Sequence, residues 1–584
     1  MKRTKIYSLL ALLLAMVMLF CACSAATPAP VEEKPQEGTS TENVNEPAKT
    51  DEAAEPVKLH AYFLNSPGST ERFASCKDSE VYKTLVEKTG VDLTVEGVDV
   101  NKAQVILAGG DTTDLLSYQY STDVQNSIEG GQLLPLNDLI EKYAPNIANL
   151  APERLDMAKR LFGDEDGNFY ALPINAGLEG CSNNIDRFNY IIRWDLYADM
   201  GYPEVKNGDD MLKLLAEMQK MHPENENGDK TYGMGFAISN GATQGFDKRF
   251  WYTYGYRNST DNILTKVSDQ TMVFNYTDDG SPFWQAAEYY NKAYRMGLLD
   301  PDSLSMQEAD YKAKIEAGVY LSPDYATYAK AYVAAQNDPD THVGFESIPV
   351  EGTTVWINSN QIGGWEMWFL AIPKTCSNPE AAIKLLNYTF GYEGARLLKS
   401  GAEGTHWNVV DGELVPTDEA IRLLQVGGDE LNASGIRTMN MLCGLSDCTV
   451  ADDGAILCTF RSATYLSSNI SGADKDYCEH YGVEYPVQQF LNMKADGKAN
   501  DHSGLDMRLV VGMGNAPEDI QRIDTNLQSI AVNSIAKLIM AEDDAAFAAV
   551  KAQVLQELAD AGAATSREWW QARHDQVKAD FGIQ

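Results

Sequence analysis

The stretches VKLHAYFL (57–64), SEVYKTLVEKT (79–89) and VDLTV (91–95) decide the fold class of this chain. The first and the third alternate apolar and polar residues, as half-buried strands do. The second places Val81 and Leu85 on one face of a helix. A strand, a helix and a strand in immediate succession predict a parallel α/β sheet with covered faces.

The same alternation continues further along the chain. The sequence predicts helices at 102–108, 122–129 and 138–143, and strands at 114–118 and 167–173. Another helix is predicted at 545–559. Because the chain has 584 residues and a domain usually takes roughly 150, we expect two or more domains.

The composition excludes nucleic-acid binding as the default use of the surface. The chain has 84 acidic and 47 basic residues and a formal net charge of −37, the same sign as a phosphate backbone. Its 44% of hydrophobic residues allow large cores. The 29 Tyr, 18 Phe and 9 Trp residues indicate many aromatic surfaces, which a ligand-binding cleft could use.

The first 56 residues are predicted to direct and tether the protein. Lys2, Arg3 and Lys5 precede an apolar run at 6–20, which is short for a membrane span of about 20 residues and is typical of a secretion signal. Residues 24–56 contain five prolines and eight acidic residues but no aromatic ring. Such a segment cannot bury enough apolar surface to fold, so we expect a disordered tether.

The end of the apolar run predicts a lipid anchor. The stretch FCACS (20–24) resembles the lipobox of bacterial lipoproteins, in which Cys23 would be lipidated and become the new N-terminus. The resemblance implies a signal peptide at 1–22 and a lipid-anchored tether at 23–56. An ordinary cleaved signal with a chance cysteine is the alternative.

The remaining cysteines are scattered and lack the close pairs of a zinc site. They are predicted to be buried thiols with at most a disulfide among the last four, and the seven are Cys76, Cys181, Cys376, Cys443, Cys448, Cys458 and Cys478.

A series of sequence blocks follows in the order AGGDTTDLLS (108–117), GGQLLPLNDLI (130–140), DGNFYALP (166–173), IIRWDLY (191–197), YRMGLLDP (294–301), AIPKTCSNPEAA (371–382) and GAEGTHW (401–407). These blocks, in this order, resemble the extracellular solute-binding lipoproteins that serve carbohydrate ABC importers. No single block is decisive, but their order over residues 57–407 carries the resemblance.

The resemblance implies a two-lobed α/β fold of the periplasmic-binding-protein type (type II), with lobes joined by a hinge. The first lobe would comprise 57–174 and 372–405, and the second 175–371 and 406–584 with a helical C-terminal extension. The chain would cross between lobes near 171–176, 369–373 and 403–407.

The implied function is the substrate-binding component of an ABC transporter. It would trap a sugar or oligosaccharide between the lobes and deliver it to a membrane permease, because a ligand that contacts both lobes favours the closed state. We expect a monomer held by its lipid anchor on the extracytoplasmic face of the cell membrane, without cofactor, catalytic residues or nucleic acid.

Sugars have flat apolar faces and a rim of hydroxyls, so their sites use aromatic rings with planar polar partners. In loops that the family places at the cleft, the candidates are Asn65, Tyr118, Tyr120, Arg193, Trp251, Tyr254, Arg257, Tyr325, Trp365, Glu403, Trp407 and Arg461. Core packing of the rings, and an ion pair between Arg193 and Asp195, are the alternatives.

The stretch PENENGDKTY (223–232) is similar to a calcium loop of relatives in this branch. The leading aspartate is replaced by Pro223 and the closing Asp-Glu pair is missing, so several anionic ligands that calcium requires are lost. We therefore predict a turn without metal.

Two other functions remain open from the sequence. A lipid-anchored glycosidase would need two carboxylates beside a sugar bond, but with 84 acidic residues such pairs occur by chance. A binder of a peptide or of a polyanionic oligosaccharide is the second alternative. The negative charge disfavours anionic ligands in general, although a few arginines in the cleft could override it locally.

Overall fold

The computed structural model describes residues 55–109, 113–177, 189–238, 244–323, 342–355, 367–470, 472–501 and 505–583. From Glu55 onward the chain forms one compact unit, and all contacts below lie within it. Among the residues that the structure describes, no helix is both long and apolar enough to cross a membrane.

The strands are β1 Val57–Leu64, β2 Val91–Val98, β3 Leu115–Tyr118, β4 Ala171–Pro173, β5 Tyr190–Arg193, β6 Tyr256–Asn258, β7 Ile263–Lys266, β8 Met272–Phe274, β9 Phe345–Ile348, β10 Thr354–Val355, β11 Phe369–Ala371, β12 Trp407–Val410, β13 Glu413–Pro416 and β14 Asn500–Asp501. Short 3₁₀ helices lie at Pro301–Leu304, Asn440–Leu442 and Thr459–Arg461.

The α-helices of the first half are α1 Ser69–Ser75, α2 Glu80–Thr89, α3 Val100–Gly109, α4 Ser121–Glu129, α5 Asn137–Tyr143, α6 Pro145–Asn149, α7 Glu153–Phe162, α8 Trp194–Asp199, α9 Gly208–Met221, α10 Gln244–Thr253 and α11 Pro282–Arg295. Those of the second half are α12 Glu308–Glu316, α13 Pro379–Thr389, α14 Tyr392–Ser400, α15 Asp418–Val426, α16 Gly428–Ser434, α17 Ala463–Ser468, α18 Gly472–Tyr481, α19 Pro486–Ala495, α20 Met507–Val511, α21 Glu518–Ile539, α22 Asp544–Asp560 and α23 Ala563–Phe581.

The predicted strand–helix–strand unit at 57–95 is confirmed. Helix α2 begins where the Ser79 hydroxyl accepts a hydrogen bond from the backbone N–H of Tyr82, and it ends at Gly90 in the left-handed conformation. The predicted strand at 167–173 is shortened to β4, because Gly167 (φ 81°) donates its N–H to Asp164 in a turn.

The main sheet has five strands in the order β2-β1-β3-β11-β4. Strand β1 runs parallel to β2 and β3, as the sequence predicts, whereas β11 runs antiparallel to both β3 and β4. The sheet is therefore mixed. Strand β11 comes from far along the chain and re-enters the sheet from the opposite direction.

Both faces of this sheet are covered. Along β1, Leu59, Ala61 and Phe63 pack into one apolar cluster, and Tyr62 and Leu64 pack into another on the other face. This split follows from the two-residue period of a strand. Residues of α2, α13 and α14 belong to the first cluster, and residues of α4 and α7 belong to the second.

A second large core lies around α11. It is rich in rings, and Trp194, Trp284 and Tyr290 are almost completely buried in it. The C-terminal helices α21 and α22 pack into the same core. The Asn291 side chain donates to the carbonyls of Leu538, Ile539 and Ala541, which satisfies the end of α21.

The packing corrects the predicted third crossing near 403–407. Met439, Leu442, Leu445 and Leu457 still pack in the core under the main sheet. Ile436 and Phe460 pack in a smaller cluster with α15. Ala473 and Tyr477 of α18 are the next to enter the second core. The change of core therefore occurs after the 3₁₀ helix Thr459–Arg461.

The described cysteines correct the predicted disulfide among the last four. Cys443, Cys458 and Cys478 are free thiols, as are Cys76 and Cys376. Cys448 is disulfide-bonded, and none of these five thiols is its partner.

Replacing Gly444 by alanine should destabilise the protein by about 2–3 kcal/mol, the usual cost of overpacking a core. An added Cβ would lie 2.1 Å from Cγ of the Phe390 ring, which is fully buried and cannot move away. Denaturant unfolding measures the loss. Gly68→Ala is the control, because no atom lies within 4 Å of its added Cβ. Equal stability of the two variants would contradict the prediction.

Candidate ligand-binding site

One edge of the main sheet brings several predicted site residues together. Strands β1, β3 and β4 end at this edge. Strand β11 begins there, because it runs antiparallel to its neighbours β3 and β4. Ligands of open α/β sheets bind beyond the carboxyl ends of the strands. The sheet edge, as we call it, is formed by Asn65, residues 119–120, residues 174–175 and Trp368.

The backbone of the sheet edge is strained. Asn65 (φ 60°), Asn175 (φ 52°) and Trp368 (φ 69°) all adopt the left-handed conformation, which is unfavourable for a bulky residue such as tryptophan. The backbone of Trp368 is held on both sides, since its N–H donates to Gln119 and its carbonyl accepts from Ile174. Strain that the surroundings maintain is typical of binding and catalytic sites.

Asn65 offers a hydrogen-bond acceptor at this edge. Its Oδ1 atom is buried and has no hydrogen-bond partner among the described residues. Burial raises the pKa of the neighbouring Asp123 carboxyl, and a hydrogen bond with the Asn65 side chain offsets part of that shift. A ligand hydroxyl could satisfy the unpaired oxygen, which is costly to leave unpaired in the free protein.

Tyr120 offers an accessible ring at the same edge, because it is 49% exposed. Tyr118 does not offer an accessible ring, which corrects its prediction as a ligand contact. Its ring is fully buried in the core, and its hydroxyl is 2.9 Å from the Ser127 hydroxyl. The strand ends at Tyr118 and α4 begins at Ser121, so Tyr120 lies beyond the sheet and its covering helices.

In the ring-rich segment at 250–257, core packing prevails over ligand contact. The Trp251 ring is 1% exposed, which corrects its prediction as a stacking platform. The Arg257 guanidinium is also buried and donates to the Tyr252 hydroxyl at 3.0 Å. Tyr254 remains partly exposed, and its hydroxyl is 2.7 Å from that of Tyr190.

Arg193 is committed to an ion pair, which confirms the alternative given for it. Its Nε and Nη2 atoms donate to the two carboxylate oxygens of Asp195 at 2.9 and 2.7 Å. Both side chains are almost fully buried, so Arg193 is a structural residue in this conformation.

Trp407 is also a packing residue. Its ring is buried, and its indole N–H donates to the Gly401 carbonyl at 2.9 Å. Glu403 lies exposed on the turn before it. Tyr325, Trp365 and Cys23 lie outside the described residues, so their roles stay predictions.

The loop similar to a calcium site uses its oxygens within the protein. The Asn225 Oδ1 atom accepts from the backbone N–H groups of Asn227 and Asp229, and its amide donates to the Ala317 carbonyl. Glu226 lies 3.5 Å from the Arg193 guanidinium. In the described ranges, no group of three or more His, Cys, Asp or Glu side chains that could hold a metal ion is found. A turn without metal stays a prediction for this loop.

Beside the sheet edge lies a basic cluster, of which the sequence singled out only Arg461. The Asp447 carboxylate accepts from Lys399 Nζ at 2.6 Å, Arg437 Nη1 at 3.0 Å and Arg461 Nε at 3.4 Å. Burial alone would raise the pKa of Asp447, but the three cations hold it well below its usual range. These residues are far apart in sequence, so no local pattern marks them.

Residues 77–396, more than half of the chain, match the family of bacterial extracellular solute-binding proteins. The fructooligosaccharide ABC transporter substrate-binding protein FusA of Streptococcus pneumoniae is 24% identical over 254 residues, which are 42% of this chain and 46% of that protein. The matched stretch thus spans about half the length of this curated relative.

Solved structures show the same fold. FusA of S. pneumoniae in complex with kestose has a TM-score of 0.60 at 16% identity, covering 90% of this chain and 100% of that chain. An HMO-binding solute-binding protein from Bifidobacterium longum infantis has a TM-score of 0.59 at 15% identity, covering 89% and 99%. These likenesses confirm the predicted two-lobed α/β fold.

The family match also confirms the prediction of a binding protein over that of an enzyme. The sheet edge supplies what such a protein needs, namely an accessible ring and an unpaired polar group on a strained backbone. The chain belongs to the bacterial extracellular solute-binding proteins.

Proposed function

We propose that this protein is the oligosaccharide-binding component of an ABC importer and that its ligand contacts the sheet edge. One observation carries the proposal: the accessible ring of Tyr120 and the unpaired buried oxygen of Asn65 lie at the same edge. A ring can stack on the apolar face of a sugar while an amide oxygen accepts from a hydroxyl.

The comparisons support the ligand class. The curated relative FusA is named as a fructooligosaccharide-binding protein, and its solved structure holds kestose. A second protein among the structural neighbours is described as HMO-binding. The large number of rings in this chain suits ligands of the same class.

Ligand capture follows from the two cores. We propose a first lobe that comprises 55–177 and 367–461, and a second that comprises 189–355 and 472–583. A ligand that contacts both lobes stabilises the closed state by its differential affinity, and the permease then recognises that state. The protein acts as a monomer in this mechanism.

The N-terminal segment gives the protein its location. Cys23 would carry the lipid after removal of residues 1–22, and the acidic, proline-rich tether would keep the binding unit at a distance from the extracytoplasmic face of the membrane. Replacement of Cys23 by serine should release the protein from the cells, which fractionation would measure.

A binding experiment tests the function. A soluble form that begins at Glu55, where the compact unit begins, is screened by thermal shift against neutral and acidic oligosaccharides. A ligand that binds only the folded state raises the melting temperature. We expect saturable binding at one ligand per protein and recovery of the ligand unchanged. Hydrolysis of the ligand at enzyme-like rates would overturn the proposal in favour of a glycosidase.

A further inference from the structure

In the basic cluster beside the sheet edge, the positively charged side chains outnumber the carboxylates. Lys399, Arg437 and Arg461 all contact the single carboxylate of Asp447. Oδ1 of Asp447 accepts from Lys399, and Oδ2 accepts from both arginines. Three cations on one anion leave a surplus of two positive charges in a protein whose formal net charge is −37.

The two arginines keep nitrogen atoms available for another partner. Arg461 uses only Nε, and Arg437 uses only Nη1, in the hydrogen bonds that they make with described side chains. Their side chains are 22% and 28% exposed, whereas that of Lys399 is 1% exposed. Lys399 therefore fixes the carboxylate from inside, and the arginines face a region that solvent can reach.

Arg154 adds an uncompensated positive charge next to Gly444, close in sequence to Asp447. It is fully buried, and its Nε and Nη1 atoms have no hydrogen-bond partner among the described residues. Its Nη2 donates to the Gly444 carbonyl at 2.5 Å, and its guanidinium lies 4.4 Å from the centre of the Phe390 ring. Burial lowers the pKa of Arg154 to about 9. An anion nearby would offset this cost.

The cluster is directly connected to the sheet edge. The amide oxygen of Asn175, one of the strained residues, accepts from Lys399 Nζ at 3.2 Å. The backbone N–H groups of Asn175 and Ala176 donate to the carbonyls of Cys443 and Gly444. The segment that carries Asp447 and the side chain of Lys399 therefore contact the part of the edge formed by residues 174–175.

We propose that the exposed nitrogens of Arg437 and Arg461 form a subsite for an anionic group of the ligand, the carboxylate or sulfate of an acidic oligosaccharide. Guanidinium groups bind such planar or tetrahedral oxyanions through paired, charge-assisted hydrogen bonds. This inference rests on the proposed function and narrows its ligand class. The acidic outer surface repels free polyanions, whereas the local surplus of positive charge attracts a single anionic group.

The first experiment tests the anion site without an oligosaccharide. The melting temperatures of the wild type, Arg461→Gln and Arg422→Gln are measured in sodium sulfate and in sodium chloride at equal ionic strength. Arg422 is the matched control, because it is exposed and pairs with Glu419 and Glu430 outside the cluster. We expect sulfate to stabilise the wild type and the control more than Arg461→Gln, and Arg461→Lys to recover part of the effect.

The second experiment uses oligogalacturonate and its methyl ester, which have the same backbone but differ in charge, alongside an array of other neutral, carboxylated and sulfated glycans. We expect the wild type to bind acidic glycans about 10-fold or more tighter than their neutral forms, as one charge-assisted hydrogen bond allows. Arg461→Gln should lose most of this preference. Removing Arg461 leaves Asp447 paired with Lys399 and Arg437, so the variant should still fold.

The outcomes separate the two proposals. The subsite is overturned if sulfate stabilises all variants equally or stabilises none. It is also overturned if the protein binds neutral glycans in preference to acidic ones, but that result leaves the proposed function intact. Failure of every glycan, neutral or acidic, overturns the proposed function. If sulfate still stabilises in that case, the cluster binds free small anions and the assignment to an oligosaccharide is wrong.

Discussion

Replacing Asp447 by asparagine should destabilise the protein by about 3 kcal/mol at pH 7, the cost of breaking a buried ion pair. The substitution leaves Lys399, Arg437 and Arg461 without a counter-charge. Burial alone would lower the pKa of Lys399, but attraction to Asp447 outweighs it and raises this pKa. Without Asp447 the lysine must lose its proton or remain charged in an apolar surrounding, and both are costly.

The loss of stability caused by Asp447→Asn should become smaller as the pH falls. The folded-state pKa of Asp447 is well below the usual value, and the unfolded-state pKa is about 3.9. The stabilisation is therefore fully present above about pH 4 and is lost as the pH falls through the folded-state pKa. Chemical unfolding at pH 7 and at pH 3 should show that the difference between wild type and Asp447→Asn shrinks in acid.

The double variant Asp447→Asn, Arg461→Gln provides the control. It removes one of the three uncompensated cations and should regain part of the lost stability at pH 7. A stability difference that does not change with pH, or a double variant less stable than the additive sum, would show that packing rather than charge holds the loop at 443–447.

Tyr120→Ala and Trp407→Ala should have opposite consequences, although the sequence named both residues as ligand contacts. Tyr120 is exposed at the sheet edge, so its loss should weaken oligosaccharide binding about 10-fold, the value of one stacked ring, with little change in stability. Trp407 is buried and hydrogen-bonded. Its loss should cost about 3–5 kcal/mol of stability and leave the affinity of the folded protein nearly unchanged.

Calorimetric titration and thermal unfolding of the same preparations measure both quantities. Met540→Ala is the control for exposure, because Met540 is 51% exposed and lies at the end of α21. Unchanged affinity in Tyr120→Ala would remove this ring from the proposed site. A specific loss of affinity in Trp407→Ala, without loss of stability, would restore the original prediction for Trp407.

The local sequence does not encode which rings are buried or which charges pair over long distances in the chain. Composition shows that rings are abundant, but Tyr118 and Tyr120 are two residues apart and have opposite fates. Burial depends on which helix or strand covers each face, and that is decided by residues distant in the chain. For Arg193, the sequence named ligand binding and gave the ion pair with Asp195 as the alternative, because Asp195 is only two positions away. The partners of Asp447 are farther along the chain, and the sequence did not name them.

The sequence by itself determined the elements whose causes are local. The alternation of β1, the face and caps of α2 and the parallel pairing with β2 follow from residues between Val57 and Val98. The order of the motifs along the chain was enough to identify the family. These properties depend on short-range geometry, which a pattern of a few residues can encode.

Only the tertiary structure decided how distant segments meet. It placed the antiparallel β11 between β3 and β4, packed Met439, Leu442 and Leu457 in the core of the main sheet, and gathered three cations around Asp447. The physical reason is that burial and charge pairing are properties of spatial neighbours. For the main sheet and the site beside it, those neighbours come from parts of the chain that are hundreds of residues apart.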